Sequence, residues 1–437
     1  MPEVMPATMP EATSPTMPAA APAAALDTAQ VLPVLLDMGE MMLVAGADVN
    51  LVERTLARVG RAYGARRMNV FVITAVVVAT MTLADGAELT STRRVDTKGD
   101  TNFAKLEKLN ALARAACEKP LPPAELAAEL ARLDAEPFPR AALYAGGVLA
   151  AGSFAVFFGG TLVDGAVSAL FALLICLLME KLKPLSPNNI VFNFVAALIA
   201  GIGIGGVAVF VPDVHVDMVM IGDIMLLIPG IAMTNAARDM LAGDTIAGVM
   251  RLVESLLWAC ALALGFMAAL FVTGAAGAAP PADTGTFIAG LDARGFALVQ
   301  VAVSLPASAG FALLFNLRER LILPAAAGGV LSWGIYLVCG QFLEGIFLPC
   351  LVAAAFAALF AEGLARHYRV PSAVFFIITM IPLIPGRGLF YTMDYAVRAD
   401  WATCGDFALL TLSFALAIAV GMSAVWAASE IARKARQ

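Results

Sequence analysis

The residues best placed to do chemistry surround a tetrapeptide that occurs twice. Leu227-Ile228-Pro229-Gly230 and Leu383-Ile384-Pro385-Gly386 lie 156 residues apart, each inside a long apolar stretch. Proline removes a backbone donor and crowds the preceding turn, and glycine adds freedom. In hydrocarbon the released backbone groups find no partner, so such a break survives where it lines a cavity. A matched pair, one in each half of an apolar chain, is the sequence sign of a solute site near the bilayer midplane. A half-helix restarting after the break presents free N–H groups and about half a positive charge, which suits a carboxylate. Pro229, Gly230, Pro385 and Gly386 are therefore candidate binding positions.

Polar residues flank both breaks. Asp223 lies six residues before Pro229 in the apolar body of its segment. An acid at that depth costs about 2.5–3.5 kcal/mol on insertion scales. It reads as an ammonium partner or proton carrier, or alternatively as an acid at the outer interface beside Gly222. Asn235 shares a helix face with Arg238 and Asp239, at i,i+3 and i,i+4. These three are either a polar cavity wall or a solvated helix end with a local Arg-Asp pair. Asp244, after Gly243, reads as a helix N-cap. Glu254 is either an interfacial charge or a cavity residue.

At the second break Arg387 stands where Ile231 stands in the first. It could grip a carboxylate with its planar fork, or snorkel to outer headgroups. Tyr391 aligns with Asn235, which makes both candidate polar cavity residues. Asn193, at the start of another apolar segment, is a further binding candidate, although small polar residues also serve helix packing. Asp223 and Asp239 are the acids suited to proton coupling.

Most other chemistry lacks its residues. The chain has two histidines and six cysteines without metal-ligand or redox spacing. That removes most metal and Ser-His chemistry from consideration. The net charge of −6 points to no nucleic-acid surface.

The elements that must carry these residues follow from composition. Of 437 residues 60% are hydrophobic and 14% charged, against about 25% charged in soluble proteins. Residues 1–25, rich in Pro, Ala, Thr and Met, read as a disordered tail. Residues 26–139 read as a small soluble α/β domain. Asp27 to Tyr63 is helical with a break at Gly46-Ala47-Asp48, Val70 to Leu83 is one strand, and Asp85-Gly86 turns into a return strand to Val95. Two more helices follow, Asn102 to Cys117 and Ala124 to Leu133.

Ten later segments are long enough to cross about 30 Å of hydrocarbon. They fall at 141–160, 163–182, 190–210, 216–235, 252–273, 296–315, 321–340, 343–362, 372–391 and 406–428. Five before a linker at 276–295 and five after it make two membrane halves, 140–275 and 296–430, with a basic tail at 431–437. An odd number per half makes the second half inverted. Lys181, Lys183, Arg238, Arg251, Arg318, Arg320, Arg366 and Arg369 fall in alternate loops, which puts both termini in the cytoplasm. The fold expected is thus mainly α, a ten-helix membrane protein with a small cytoplasmic α/β domain.

The chain resembles the threonine/serine exporter family over essentially everything after the tail. The resemblance rests on Leu35 to Glu40 through Asp48 to Glu53, the strand pair ending in Asp85-Gly86, the first break with Asn235, Arg238-Asp239 and Gly243-Asp244-Thr245, and Ile384 to Leu389. It implies a cytoplasmic N-domain, ten spans, and fusion of halves that are separate polypeptides in some members. It further implies export of threonine and serine across a bacterial inner membrane, driven by the proton motive force. A split-chain branch is associated with succinate export, so a C4-dicarboxylate anchored by Arg238 and Arg387 is the rival substrate. A hydrolase-like N-domain is the rival from another class, but that domain contains no histidine. The partners implied are a small amino acid, protons and the lipid bilayer, with a second copy of the chain as a further candidate.

Overall fold

A computed structural model describes residues 28–95, 101–227, 230–241, 243–274 and 291–434. The side chains of Gly230, Ile231, Thr234, Ala237, Arg238 and Leu241 also lie outside that description. So do Pro229, the expected tail at 1–25 and most of the expected linker.

The N-terminal region begins with α1 (Thr28–Val44) and α2 (Val49–Ala62). The break between them falls at Gly46-Ala47-Asp48, and the Asp48 carboxylate caps α2 by accepting from Leu51 N at 2.8 Å. Three antiparallel strands follow in the order β1 (Arg67–Ile73), β2 (Val76–Thr82), β3 (Glu88–Arg94). The expected single strand over residues 70–83 is therefore a hairpin, with Ile73 opposite Val76. The reason is length: that strand would run about 45 Å, nearly twice the about 25 Å of α1. Folding back lets β2 bury Val77, Ala79 and Met81 on one face. The turn at Asp85-Gly86 joins β2 to β3 as expected. Then come α3 (Phe103–Glu118), capped by Asn102, and α4 (Pro123–Asp134).

Glu53, on α2, gives a pH prediction. Partial burial pushes its carboxyl above the usual carboxylate range, the Val72 N–H bond at 3.0 Å pulls it back, and the nearby Asp244 adds to the rise. The folded state therefore holds this proton more tightly than the unfolded state does. Its contribution to stability is present below the unfolded carboxylate range and is lost as pH rises through the folded value. Glu53→Gln in the full-length protein should flatten that part of the stability-versus-pH curve, read by thermal unfolding across mildly acidic pH. An unchanged slope would show that Glu53 does not contribute.

The membrane part starts with α5 (Arg140–Phe157), α6 (Leu162–Lys181) and α7 (Asn189–Phe210). A broken pair follows, α8 (Val216–Leu227) and α9 (Gly230–Leu241), then α10 (Thr245–Thr273). The second set is α11 (Ala293–Leu314), α12 (Glu319–Cys339) and α13 (Phe347–Tyr368), the pair α14 (Ser372–Met380) and α15 (Gly386–Val397), and α16 (Trp401–Lys434). A 3-10 turn, Ile381–Leu383, leads into the second break, and the two sides bend by 54°. Among the described residues eight helices are long and apolar enough to cross a membrane, or nine with that bent pair as one span. The α8–α9 pair flanks residues outside the description and does not enter that count. Leu170, Leu177, Leu264, Leu331, Leu409 and Leu416 are exposed on these helices, as a lipid-facing surface requires.

The two sets of helices meet where α5 lies along α11. A Cβ on Gly146 would stand 2.7 Å from Gly310 O, so only glycine allows this approach. The N-terminal region is bolted to the α11–α12 connection. Phe103 N and Ala104 N, in the first turn of α3, donate to Phe315 O at 2.8 Å and Asn316 O at 3.0 Å at the end of α11. Two helix ends thereby satisfy each other's orphan groups, with opposite dipole ends facing. Arg318 adds an ion pair to Glu107 at 2.7 Å.

Candidate functional site

A cavity of about 680 Å³ opens between the N-terminal region and the membrane helices. Its wall takes Leu43 and Ala47 from the N-terminal region, Asn193 from α7, Asn235 from α9, and Arg251, Glu254 and Trp258 from α10. It reaches Leu227 and Ile384, the residues at the mouths of the two breaks. Both interrupted helices therefore face one chamber. Its size falls in the range of small-molecule sites.

Asn193 and Asn235, both expected as polar cavity residues, stand on this wall. Glu254, open between two readings in the sequence, faces the cavity too. Asp239 is buried at 1% exposure and forms an ion pair with Arg251 of α10 at 3.6 Å. It is not part of a solvated helix end. Asp244 sits at the N-cap position of α10 without capping it. Its carboxylate accepts from Asn50 Nδ2 of α2 at 3.0 Å, which ties the N-terminal region to the start of α10. Among the candidates, Gly230 opens α9 and Gly386 opens α15, while Pro385 precedes it.

Arg387 and Tyr391 lie apart from this wall. Arg387 Nη1 donates to Phe158 O at 3.2 Å, and the guanidinium rests 5.5 Å from the centre of the Tyr391 ring. It turns into the protein and does not snorkel outward. Its Nη2 is buried with no hydrogen-bond partner among the described residues. Tyr391 OH donates to Asp217 Oδ2 at 3.3 Å, so α15 holds the start of α8. Asn235 and Tyr391, equivalent in the repeat, thus serve different faces: one lines the chamber and the other closes the side away from the N-terminal region.

Asp223 is fully buried among α5, α6 and α8, behind the cavity wall. Its Oδ1 accepts from Ser168 Oγ at 2.9 Å, and its Oδ2 has no hydrogen-bond partner among the described residues. A Cβ on neighbouring Gly222 would stand 2.6 Å from Ser168 Oγ and 2.8 Å from Ala151 O, so glycine there lets the three helices close around the acid.

One buried pair escaped the sequence reading. Asp164, with no exposed surface, accepts from Thr161 N and Oγ1 and from His215 N and Nδ1, all within 2.9 Å. Thr161-Leu-Val-Asp164 is a capping-box spacing, and that was the available signal.

Known proteins match the sequence of this chain. A threonine/serine exporter family model matches residues 33–273, and a second, described as Threonine/Serine exporter, matches residues 300–428. A threonine/serine exporter from Corynebacterium glutamicum is 26% identical over 78% of this chain and 69% of its own length. A probable succinate transporter subunit from Klebsiella aerogenes is 26% identical over 54% of this chain and 91% of its own. No solved structure matches at a significant level. With family models spanning both sets of membrane helices and both breaks, the chain belongs to the threonine/serine exporter family of multi-pass membrane transporters.

Proposed function

We propose that this transporter exports small amino acids, threonine and serine, across a bacterial inner membrane by antiport with protons. The observation that carries the reading is the single chamber reached by both broken helices. The site assigned to the solute lies at Pro229-Gly230 and Pro385-Gly386, with Asn193 and Asn235 on the near wall. The half-helix N-termini and Arg387 take the carboxylate, Arg238 and Tyr391 flank it, and Asp223 and Asp239 carry the coupled proton.

Ten spans in two inverted five-helix halves, 140–275 and 296–430, complete this reading. Its support is a repeated pattern of neighbours. The pair α5–α6 recurs as α11–α12, α6–α8 as α12–α14, α7–α10 as α13–α16, and α9–α10 as α15–α16. Across the halves, α9 packs on α16 as α15 packs on α10. The basic residues Lys183, Arg251, Arg318 and Arg320 sit on the side of the N-terminal region, which favours cytoplasmic termini. The soluble unit 26–139 then roofs the chamber from the cytoplasm. The chamber faces inward, and α8 against α15 closes the outer side. Export would separate that pair and bring α9 and α14 together, as alternating access between repeats requires.

Counterflow in proteoliposomes tests the reading. Labelled threonine should accumulate against trapped threonine or serine. Succinate should not compete, and an uncoupler should collapse net uphill transport. Competition by succinate with none by serine would make the solute a dicarboxylate instead.

A further inference from the structure

The chamber wall carries charge, and almost all of it is already engaged. Glu180 binds Lys181 at 3.0 Å, Tyr144 OH at 3.0 Å and Arg140 at 3.4 Å. Arg251 pairs with Asp239. Glu254 is the exception. It is half-buried on the cavity wall and has no hydrogen bond or ion pair among the described residues. Arg251 precedes it by three residues on α10, so the two share a face about 5–6 Å apart at Cβ.

We propose that Glu254 is the ammonium anchor of an amino-acid capture subsite at the chamber mouth, with Arg251, while still paired with Asp239, adding its positive charge on the side of the carboxylate. This rests on the export reading above and gives that site its selectivity for a zwitterion. A carboxylate in a partly dried wall gains from a cation that brings its own N–H donors. An α-amino acid presents an ammonium and a carboxylate a few ångströms apart, and the wall presents an anion and a cation at matching reach. A dicarboxylate meets the same wall with charge opposed to Glu254. Trp258, one turn further along α10, adds a flat apolar surface for the side chain. Asn193 and Asn235 supply amides for a side-chain hydroxyl. From this mouth the solute moves inward to the breaks.

The test is counterflow of labelled threonine by the full-length protein in proteoliposomes, competed by serine and by 3-hydroxybutyrate, which is threonine without its amino group. In the unaltered protein 3-hydroxybutyrate should compete far more weakly than serine. Glu254→Gln should weaken threonine about tenfold or more, the scale of a charge-assisted hydrogen bond, and shrink the gap between the two competitors by the same factor. Glu254→Asp keeps the charge and should restore part of that gap. Size-exclusion behaviour confirms that each variant is folded, and Glu254→Asp carries the test if Glu254→Gln is not. An unchanged gap in a folded Glu254→Gln protein overturns the subsite, as does an equal slowing of every solute. Unaltered protein that exchanges succinate and not threonine overturns the export reading itself, whatever the variants do.

Discussion

Asp223→Asn is expected to lower proton-driven threonine export by about 100-fold or more, and to leave threonine–threonine exchange within a few-fold of normal. The substitution is nearly isosteric. The Asn side-chain oxygen can still accept from Ser168 Oγ, so the packing of α5, α6 and α8 around Gly222 survives. What disappears is the ability to bind and release a proton. A buried carboxyl with an unpartnered oxygen is costly in any fold, and it persists in membrane helices where it serves a pathway for ions or protons. Leu226 and Leu227, three and four residues after Asp223 and so on its side of α8, line the chamber, so a modest rotation of α8 would bring Asp223 to water. Exchange needs no net proton movement, whereas uphill export does. The measurement is paired: pH-jump-driven efflux against exchange in the same vesicles. Full export with unchanged pH dependence would transfer the coupling role to Asp239, whose link to Arg251 ties it to the chamber wall.

The breaks were readable because Pro-Gly within an apolar run has few structural uses. Eight of the ten expected spans, or nine with the bent pair, fall on described helices long and apolar enough to cross, since hydrocarbon thickness sets segment length. The hidden parts depend on contacts between distant residues. Nothing local tells Asp239 that Arg251, on the next helix, is an ion-pair partner. Asp244 looks like a cap by position, yet Asn50, 194 residues away, takes its carboxylate. The run from Val70 to Leu83 carries no Gly, Pro, Asn or Asp to mark its turn, so only the short helices it packs against reveal the hairpin. Glu254 shows the same limit. A charge near a helix start is ordinary at an interface, and the chamber opposite it takes residues from α1, α5, α6, α7, α8, α9, α11 and α14. Arg387 was ambiguous because a long side chain reaches either way from the same Cα. The carbonyl of Phe158 and the ring of Tyr391, both fixed by tertiary packing, decide its direction.

Arg387 carries the other large effect. Arg387→Ala should reduce threonine counterflow by about 100-fold or more, chiefly as a rise in KM, because a carboxylate in a low-dielectric site loses its bidentate partner. Arg387→Lys should rescue little. A lysine ammonium cannot donate to Phe158 O and to a carboxylate in the planar fork geometry. The contrary account makes Arg387 part of the outer closure, stacked on Tyr391 to steady its bond to Asp217. The two accounts separate on Tyr391→Phe. That variant removes one 3.3 Å hydrogen bond, a net loss of about 0.5–1.5 kcal/mol, and leaves the guanidinium and the aromatic face in place. If Arg387 binds the solute, Tyr391→Phe should cost less than about tenfold and leave KM nearly unchanged. If Arg387 acts through the closure, Tyr391→Phe and Arg387→Ala should slow the maximal rate together with normal KM. The buried Nη2 of Arg387 favours the first account, since a donor kept dry with no acceptor among the described residues is poised for an anion that arrives during the cycle. Initial rates of counterflow over a range of threonine concentrations, for the three variants in parallel, distinguish them.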